Sequence, residues 1–308
     1  MKIKRKLQLI KEFGLKIFLA DFLASNVRIS NFTARLRDRV FLNWLKKNYG
    51  NIILKYKNAE NSPVILNETE NSSPIWCVWW QGEENLPEVI DLCFSNIRKY
   101  CGNHPFKIIT EKNYREYVEL PEYIIEKLNA GKITLTHFSD IMRMYLLSRY
   151  GGLWLDATIF VNKNIPEKIF SAPYFTIKRK KNIHDRNISQ GRWTGFLQAS
   201  QKGCKLCSFA SDIMFEYWKT HEILFDYVFL DYIIALAYEE ISECKNLLDS
   251  VPLNNPEIDN LQPLLNLPFN SEIYKNLISD TIFFKLTWKQ KFYKNISENK
   301  TFYGHICE

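Results

Sequence analysis

The chain has 308 residues, of which 46% are hydrophobic and 24% charged, and its net charge is +7. This length and composition can bury one large hydrophobic core or two smaller ones, which excludes an intrinsically disordered protein. The longest apolar runs, residues 227–230 and 233–238, are separated by Asp231 and fall far short of the roughly 18 apolar residues that a membrane-spanning helix needs.

The positive charge is concentrated at the N-terminus. Residues 1–60 contain fourteen Lys or Arg and four Asp or Glu, and apolar residues recur there at steps of three and four. This pattern predicts basic helices that either lie on an anionic membrane surface or pack as a solvated face on the rest of the protein. No nucleic-acid recognition motif accompanies the charge, so we expect no nucleic-acid partner.

Residues 58–74 contain Asn, Ser, Glu and two prolines, which predicts a linker between a helical segment, 1–65, and a larger domain, 70–308. Beyond the linker, the runs PIWCVWWQG and FKIIT predict strands. They alternate with amphipathic helices that begin at Pro87 and Pro121. This alternation predicts an α/β fold with a mostly parallel sheet, covered on both faces, whose ligands bind beyond the carboxyl ends of the strands.

The stretch SDIMRMYLLSRYGGLWLDATIF, residues 139–160, predicts a buried helix, a Gly-Gly end and a strand, LWLDATIF. Asp156 lies in or just past this strand, where packing alone would favour Val or Ile. A buried carboxylate without a partner is costly, so we expect Asp156 to be paired, hydrogen-bonded or metal-bound. Asp140 and Arg143 share one helical face and can pair. A purely structural bridge with a capping Asp156 is the alternative.

The seven cysteines are odd in number and scattered, which favours reduced thiols over a disulfide framework. Cys204 and Cys207 form a Cys-x-x-Cys pair, but no second pair stands at the spacing of a zinc site. We interpret them as packing thiols. Since the N-terminus shows no compact apolar segment with a cleavage site, we expect a cytoplasmic protein.

Several motifs taken together resemble the capsular polysaccharide synthesis proteins related to glycosyltransferase family 32. They are WCVWWQGEENLPEVIDLCFSNI, KNYREYVELPEYI and FSDIMRMYLLSRYGGLWLDAT, followed by RWTGFLQAS, YWKTHEILFDYVFLDYIIALAY, KLTWK and TFYGHICE. The resemblance covers residues 70–308, and the ordered combination S-D-x-x-R, Y-G-G and L-D-x-T is far more specific than any one part. It implies a GT-A (Rossmann-like) glycosyltransferase fold, with the helical basic segment as an N-terminal extension.

The resemblance also implies a nucleotide-sugar donor, a UDP-sugar, bound with Mn²⁺ or Mg²⁺. Related enzymes carry Asp-x-Asp after the Gly-Gly turn, whereas here Thr158 stands where the second aspartate would be. Asp156 would anchor the cation, which stabilises the leaving diphosphate as a Lewis acid. The Thr158 hydroxyl would position a water or the donor. His305 would be a further metal ligand, or merely a surface residue.

Asp140 and Arg143 resemble the pair that reaches the donor in related retaining enzymes. There the aspartate accepts hydrogen bonds from sugar hydroxyls, and the guanidinium neutralises phosphate or sugar oxygens. Trp79 and Trp80, neighbours at a strand end, would face opposite sides. The pattern favours Trp80 stacking on the nucleotide base, with the amide of Gln81 bonding to that base.

Asp231 interrupts the apolar run YVFLDYIIALAY and, together with Asp226, would face the acceptor or the sugar. A local capping or bridging role is the alternative. His137, His184 and Trp193 are weaker candidates for the acceptor side.

The resemblance implies a glycosyltransferase that transfers a sugar to a lipid-linked oligosaccharide acceptor during assembly of capsular or another surface polysaccharide. Retention of configuration is implied by the family alone. We expect a peripheral location on the inner face of the plasma membrane, where the basic segment would hold the active site near its acceptor. The alternatives are a catalytically inactive nucleotide-sugar-binding scaffold, which Thr158 would allow, and a structural membrane adaptor.

Overall fold

The structure, a computed structural model, describes residues 2–26, 31–59, 73–180 and 186–308. Most of the predicted linker, residues 60–72, and His184 lie outside these ranges. The helices within them are α1 (Lys2–Phe13), α2 (Leu15–Asn26), α3 (Phe32–Asn48), α4 (Gly50–Asn58), α5 (Glu88–Tyr100), α6 (Glu122–Asn129), α7 (Leu135–Arg149), α8 (Glu167–Ser171), α9 (Lys205–Thr220), α10 (Phe229–Glu240), α11 (Ser242–Ser250), α12 (Ser271–Ser279) and α13 (Phe302–Ile306). The strands are β1 (Ile75–Val78), β2 (Phe106–Ile109), β3 (Gly152–Leu155), β4 (Ile159–Val161), β5 (Tyr174–Thr176), β6 (Leu197–Ser200), β7 (Phe283–Lys285), β8 (Asn295–Ile296) and β9 (Asn299–Lys300).

The basic N-terminal segment is helical, as its apolar periodicity predicts, and comprises α1 to α4. Phe13 and Leu45 are buried in the same hydrophobic core as α9 and α10. The Phe13 ring stacks on Tyr217 of α9 with centroids 6.3 Å apart, and Lys46 pairs with Glu240 at the end of α10. One face of the segment therefore packs on the rest of the protein. Within the described ranges, no helix combines the length and hydropathy needed to cross a bilayer.

The main sheet has five strands in the order β2-β1-β3-β6-β5. β1 pairs in parallel with β2 and β3, while β6 is antiparallel to both of its neighbours. Four strands therefore run in one direction and β6 runs against them, in line with a mostly parallel sheet. The predicted α/β fold class is confirmed, and the GT-A type remains a prediction of the family resemblance.

Alternate residues of β1 and β3 enter cores on opposite faces of the sheet, because strand side chains alternate. Trp76 and Trp154 pair in register and lie in the core that contains α7 and α9. Ile75 and Leu153 pair in register and lie in the core that contains α5. Both faces of these strands are thus apolar, so polar site residues are found at the strand ends.

Gly151 and Gly152 connect α7 to β3 and have φ angles of +70° and +98°. A Cβ at Gly152 would lie 2.2 Å from the carbonyl oxygen of Pro74, and one at Gly151 would lie 2.7 Å from the backbone nitrogen of Lys202. Glycine alone accommodates both the left-handed backbone and this close approach. The turn therefore holds the end of α7 tightly against the start of β3.

The stretch LWLDATIF, expected to be one strand, forms two strands in different sheets. β3 ends just before Asp156, and residues 156–158 make a turn in which Ile159 N–H donates to Asp156 O at 2.9 Å. β4 then pairs antiparallel with β7, with Ile159 opposite Lys285. A change of direction replaces the continuous strand because β4 has a pairing partner outside the main sheet. Asp156 thus stands at the carboxyl end of β3.

Candidate active site

A cavity of about 370 Å³ lies beyond the carboxyl ends of β1 and β3. Its size falls within the range of small-molecule sites. Segments after β1, β3 and β7 line it, together with the first turns of α7. Six residues singled out from the sequence line this cavity: Trp79, Trp80, Gln81, Arg143, Asp156 and Thr158.

A larger cleft of about 990 Å³ lies between α8, β5 and residues 250–260. No residue predicted for the site lines it. Two of its charged side chains, Arg179 and Asp259, pair with each other at 2.9 Å. The smaller cavity at Asp156 is therefore the candidate active site.

Two cations and an indole hold the carboxylate of Asp156. Arg143 Nη2 lies 3.1 Å from Oδ1, Lys285 Nζ lies 2.9 Å from Oδ2, and the indole N–H of Trp154 donates to Oδ1 at 3.0 Å. Burial raises the pKa of Asp156, but the charges of Lys285 and Arg143 and the Trp154 hydrogen bond outweigh it and hold that pKa below its ordinary value. Asp156 is therefore a carboxylate at neutral pH, and its side chain is 30% exposed.

Arg143 links Asp156 to Asp140. Its Nη1 lies 2.8 Å from Asp140 Oδ1, and the guanidinium carbon lies 4.9 Å from the centre of the Trp154 ring. The side chain is buried, yet it lines the cavity. A planar guanidinium can bond two carboxylates through separate nitrogens, which a lysine ammonium cannot do with the same geometry. The expected pair with Asp140 is present, and it extends across the Gly-Gly turn to Asp156.

His137 is buried behind Asp140 and does not line the cavity. The indole N–H of Trp218 donates to His137 Nε2 at 2.9 Å. Because an indole can only donate, Nε2 accepts, and the ring proton lies on Nδ1. Nδ1 is 3.6 Å from Asp140 Oδ2. This distance is too long for a hydrogen bond, and the structure does not bring His137 to the cavity as a contact for an acceptor.

Asp231 lies in the first turn of α10 and accepts a hydrogen bond from the Trp193 indole at 2.8 Å. Burial raises the pKa of Asp231 to about 6, the Trp193 hydrogen bond opposes that rise, and the charge of Asp140 adds to it. Neither Asp231 nor Trp193 lines the cavity. Asp226 accepts a hydrogen bond from the backbone N–H of Val228 at 2.9 Å, just before α10. This contact corresponds to the local capping role that the sequence left open as the alternative.

The two tryptophans after β1 point to opposite cores, as expected for neighbours at a strand end. Trp80 packs edge-to-face on Phe138 with ring centroids 5.0 Å apart. Trp79 meets Trp288 edge-to-face at 6.0 Å. Trp288 is exposed and lines the cavity, so aromatic rings from both chain segments border it.

The residues at Asp156 do not fit the divalent cation that the family resemblance implies. Among the described residues, no three or more His, Cys, Asp or Glu side chains are grouped closely enough to hold a metal ion. Mg²⁺ at phosphate sites is usually bound through one or two carboxylates together with substrate phosphates and water. Here both oxygens of Asp156, the one carboxylate among the described residues that line the cavity, already accept hydrogen bonds from cations, and Thr158 contributes only a neutral hydroxyl. The ring of His305 stacks on Phe269 at 3.9 Å and does not line the cavity, so the structure does not bring it to Asp156.

Among the residues that bond Asp156 or line the cavity, the sequence did not single out Trp154, Lys285, Trp288 and Lys289. The last three belong to KLTWK, which contributed to the family resemblance without an assigned role. The one local signal for Lys285 is a charge that directly follows the apolar run TIFF, as Asp156 directly follows LWL.

A cavity at the carboxyl ends of parallel strands, bordered by aromatic rings and by the Asp-Arg-Asp cluster, stands where α/β proteins commonly bind small molecules. The family described as "Capsular polysaccharide synthesis protein" matches residues 23–306. The chain belongs to this family, which confirms the resemblance; the relation to glycosyltransferase family 32 stays a prediction.

No curated protein is significantly similar in sequence to this chain. Among solved structures, a chain titled "PaToxG Glycosyltransferase" is similar with a TM-score of 0.42 and 14% identity, over 81% of this chain and 99% of that one. This similarity is too weak to carry a functional conclusion.

Proposed function

We propose that the protein is a glycosyltransferase of capsular polysaccharide assembly that moves a sugar from a nucleotide-sugar, a UDP-sugar, to a lipid-linked oligosaccharide. The supporting observation is the cluster of Asp140, Arg143 and Asp156 at the cavity beyond β1 and β3, in a chain of the capsular polysaccharide synthesis family. Retention of configuration belongs to the proposal and rests on the family resemblance alone.

The cavity offers Arg143 to the leaving group. Sugar transfer breaks the bond between the anomeric carbon and a diphosphate oxygen, and negative charge develops on that oxygen. The guanidinium lines the cavity, and within the described residues its Nε–H has no hydrogen-bond partner. Asp140 and Asp156 hold it from two sides, so Arg143 is ordered before the donor arrives. The divalent cation is not part of this proposal, because the donor set around Asp156 does not suit it.

The remaining predicted residues would contact the other parts of the substrates. Trp80 would stack on the base, since it lines the cavity and base-aromatic stacking tolerates any base. The exposed amide of Gln81 would bond the base edge, and the Thr158 hydroxyl would face the donor. Asp231, which bonds Trp193 and lies outside the cavity lining, has no role in this proposal.

A panel of nucleotide-sugars tests the proposal. We expect one member to raise the melting temperature of the protein, since a ligand of the native state stabilises it, and to be slowly hydrolysed with release of the nucleoside diphosphate. The proposal is overturned if no member of a broad panel is bound or hydrolysed. Binding without turnover in the presence of the native acceptor would instead favour the inactive scaffold.

We further propose that the N-terminal helices dock on an anionic membrane surface. Leu15, Leu19, Phe22 and Leu23 form a stripe along α2, and their exposures range from 38% to 57%. Lys6 lies 5.3 Å from the centre of the Phe22 ring, so a cation borders the stripe. Exposed apolar side chains beside basic ones are the combination that binds an anionic bilayer interface.

Co-sedimentation with vesicles tests this docking. We expect binding to vesicles rich in anionic lipid, weaker binding at high salt, and loss of binding in Phe22→Glu. Leu253→Glu is the matched control, because Leu253 is 58% exposed far from α2 in sequence and should leave binding unchanged. Binding that ignores both lipid charge and salt would refute the electrostatic account.

A further inference from the structure

Lys285 contacts Asp156 of the candidate site from outside the main sheet, and Lys285 borders the cavity through this contact without itself lining it. It is the last residue of β7 and stands opposite Ile159, three positions after Asp156. Its Nζ lies 2.9 Å from Asp156 Oδ2 and 4.9 Å from the centre of the Phe196 ring. The side chain remains 28% exposed. The ammonium is thus anchored by a carboxylate and an aromatic face while solvent still reaches the side chain.

The anchoring leaves donor capacity. An ammonium has three N–H groups, and Asp156 is its hydrogen-bond acceptor among the described residues. The other N–H groups can bond phosphate oxygens, for which lysine is a common ligand in proteins. Because its ammonium is anchored and partly desolvated, Lys285 suits this role better than a freely mobile surface lysine would.

The charges around the cavity suit an anion. Among the described residues that line it, Arg143 and Lys289 are cations, and Asp156 is the single carboxylate. Lys285 neutralises that carboxylate from behind. Asp140, which bonds Arg143 from outside the lining, offsets one further charge, so the three cations exceed the two carboxylates by one. This net positive charge suits a diphosphate without any contribution from a metal ion.

We infer that Lys285 and Arg143 together bind the donor diphosphate and neutralise its charge on departure, in place of a divalent cation. This inference rests on the proposed glycosyltransferase function. In the transfer, the bond from the anomeric carbon to the diphosphate oxygen breaks, and its electron pair stays on that oxygen. The acceptor hydroxyl oxygen bonds the anomeric carbon, and its proton passes to the departing diphosphate.

Titration of the full-length protein with UDP, by calorimetry, tests the inference. In excess EDTA the wild-type protein should bind UDP with the same affinity, within about twofold, as in Mn²⁺. In EDTA, Lys285→Ala should lose about tenfold or more in affinity, the order expected for a hydrogen bond to a charged group. Lys285→Arg should restore most of it. Lys291→Ala, at an exposed position, is the control and should bind as the wild type does.

Addition of Mn²⁺ to Lys285→Ala provides a second readout. Removal of the ammonium frees Asp156 Oδ2, so we expect Mn²⁺ to recover part of the UDP affinity in this variant only. The wild-type comparison needs no substitution and therefore does not depend on how a variant folds. If wild-type protein binds UDP only when Mn²⁺ is present, the inference fails and the proposed function stands. If no nucleotide-sugar or nucleoside diphosphate binds under either condition, the proposed function fails as well.

Discussion

Arg143 Nη2 lies 3.1 Å from Asp156 Oδ1, and this contact joins the helix before the Gly-Gly turn to the loop after the strand that follows it. Arg143 is closely enclosed: its side chain is buried, and a Cβ at Gly195 would lie 3.4 Å from Nη1. The guanidinium therefore has little freedom to leave the contact, and a substitution at either residue should affect the other.

Asp156→Asn should lower nucleotide-sugar hydrolysis by about a hundredfold or more, the order seen when one preorganised electrostatic group is removed from an active site. The asparagine amide carries no charge to balance Lys285 and Arg143, and its NH₂ group cannot accept hydrogen bonds from them. Release of the nucleoside diphosphate measures the effect. Asp259→Asn, which removes an exposed partner of Arg179, is the matched control. A variant that keeps half the wild-type rate would contradict the proposed role of Asp156.

Arg143→Lys should weaken UDP binding by about tenfold or more and lower the melting temperature, although the charge is conserved. A lysine can bond Asp140 or Asp156 but lacks the fork that bonds both, and the carboxylate left alone is costly to bury. Calorimetry and thermal unfolding measure the two effects. Arg98→Lys should change neither, because Arg98 pairs with Glu83 on the surface. Unaltered UDP binding by Arg143→Lys would show that a single positive charge at this position suffices for binding, without the guanidinium fork.

Gly152→Ala should destabilise the protein by about 3 kcal/mol or more, since it combines a positive φ with a Cβ placed 2.2 Å from the Pro74 carbonyl oxygen. Gly203→Ala is the control: its φ is +80°, but a Cβ there meets no atom within 4 Å. Gly203→Ala should lower the free energy of unfolding by only about 1 kcal/mol. Denaturant unfolding measures both free energies. Equal losses would mean that the close approach at Gly152 relaxes without cost.

Asp231→Asn should stabilise the protein at pH 8 relative to the wild type and should not do so at pH 4. A carboxyl whose pKa is raised to about 6 binds its proton more tightly in the folded than in the unfolded chain, where the pKa is about 4. Ionisation therefore destabilises the fold progressively from about pH 4, and the penalty is complete above about pH 6. The asparagine removes this penalty and can still accept from Trp193.

Melting temperatures of wild type and Asp231→Asn at the two pH values check this expectation. Asp280→Asn, at an exposed position, serves as control and should change stability little at either pH. A stabilisation by Asp231→Asn that is the same at pH 4 and pH 8 would contradict the ionisation account.

The sequence predicts those features that depend on neighbouring residues. The N-terminal helices follow from apolar periodicity, and the turn at residues 151–152 follows from the need for glycine. Asp140 and Arg143 are three positions apart on one helix, so their contact is local. The parallel strands place Asp156 at the sheet edge, and the family motif selects it from other acidic residues. The functional roles of these residues stay predictions.

Contacts between distant segments could not be predicted. Lys285 and Asp156 are 129 positions apart, and their meeting depends on the antiparallel pairing of β4 with β7, which no local pattern specifies. The same pairing divides LWLDATIF into two strands. The ring of His305 packs on Phe269 near the C-terminus, and the motif YGHIC alone does not predict this contact.

The close packing of the Gly-Gly turn has a kinetic consequence. Because neighbouring backbone packs directly against this turn, the helix that carries Arg143 and the strand that leads to Asp156 are held close together in the folded chain. The entropy of aligning these charges is lost during folding and not during substrate binding. Diffusional encounter, and not the closing of this part of the site, would then set the rate at which a donor associates.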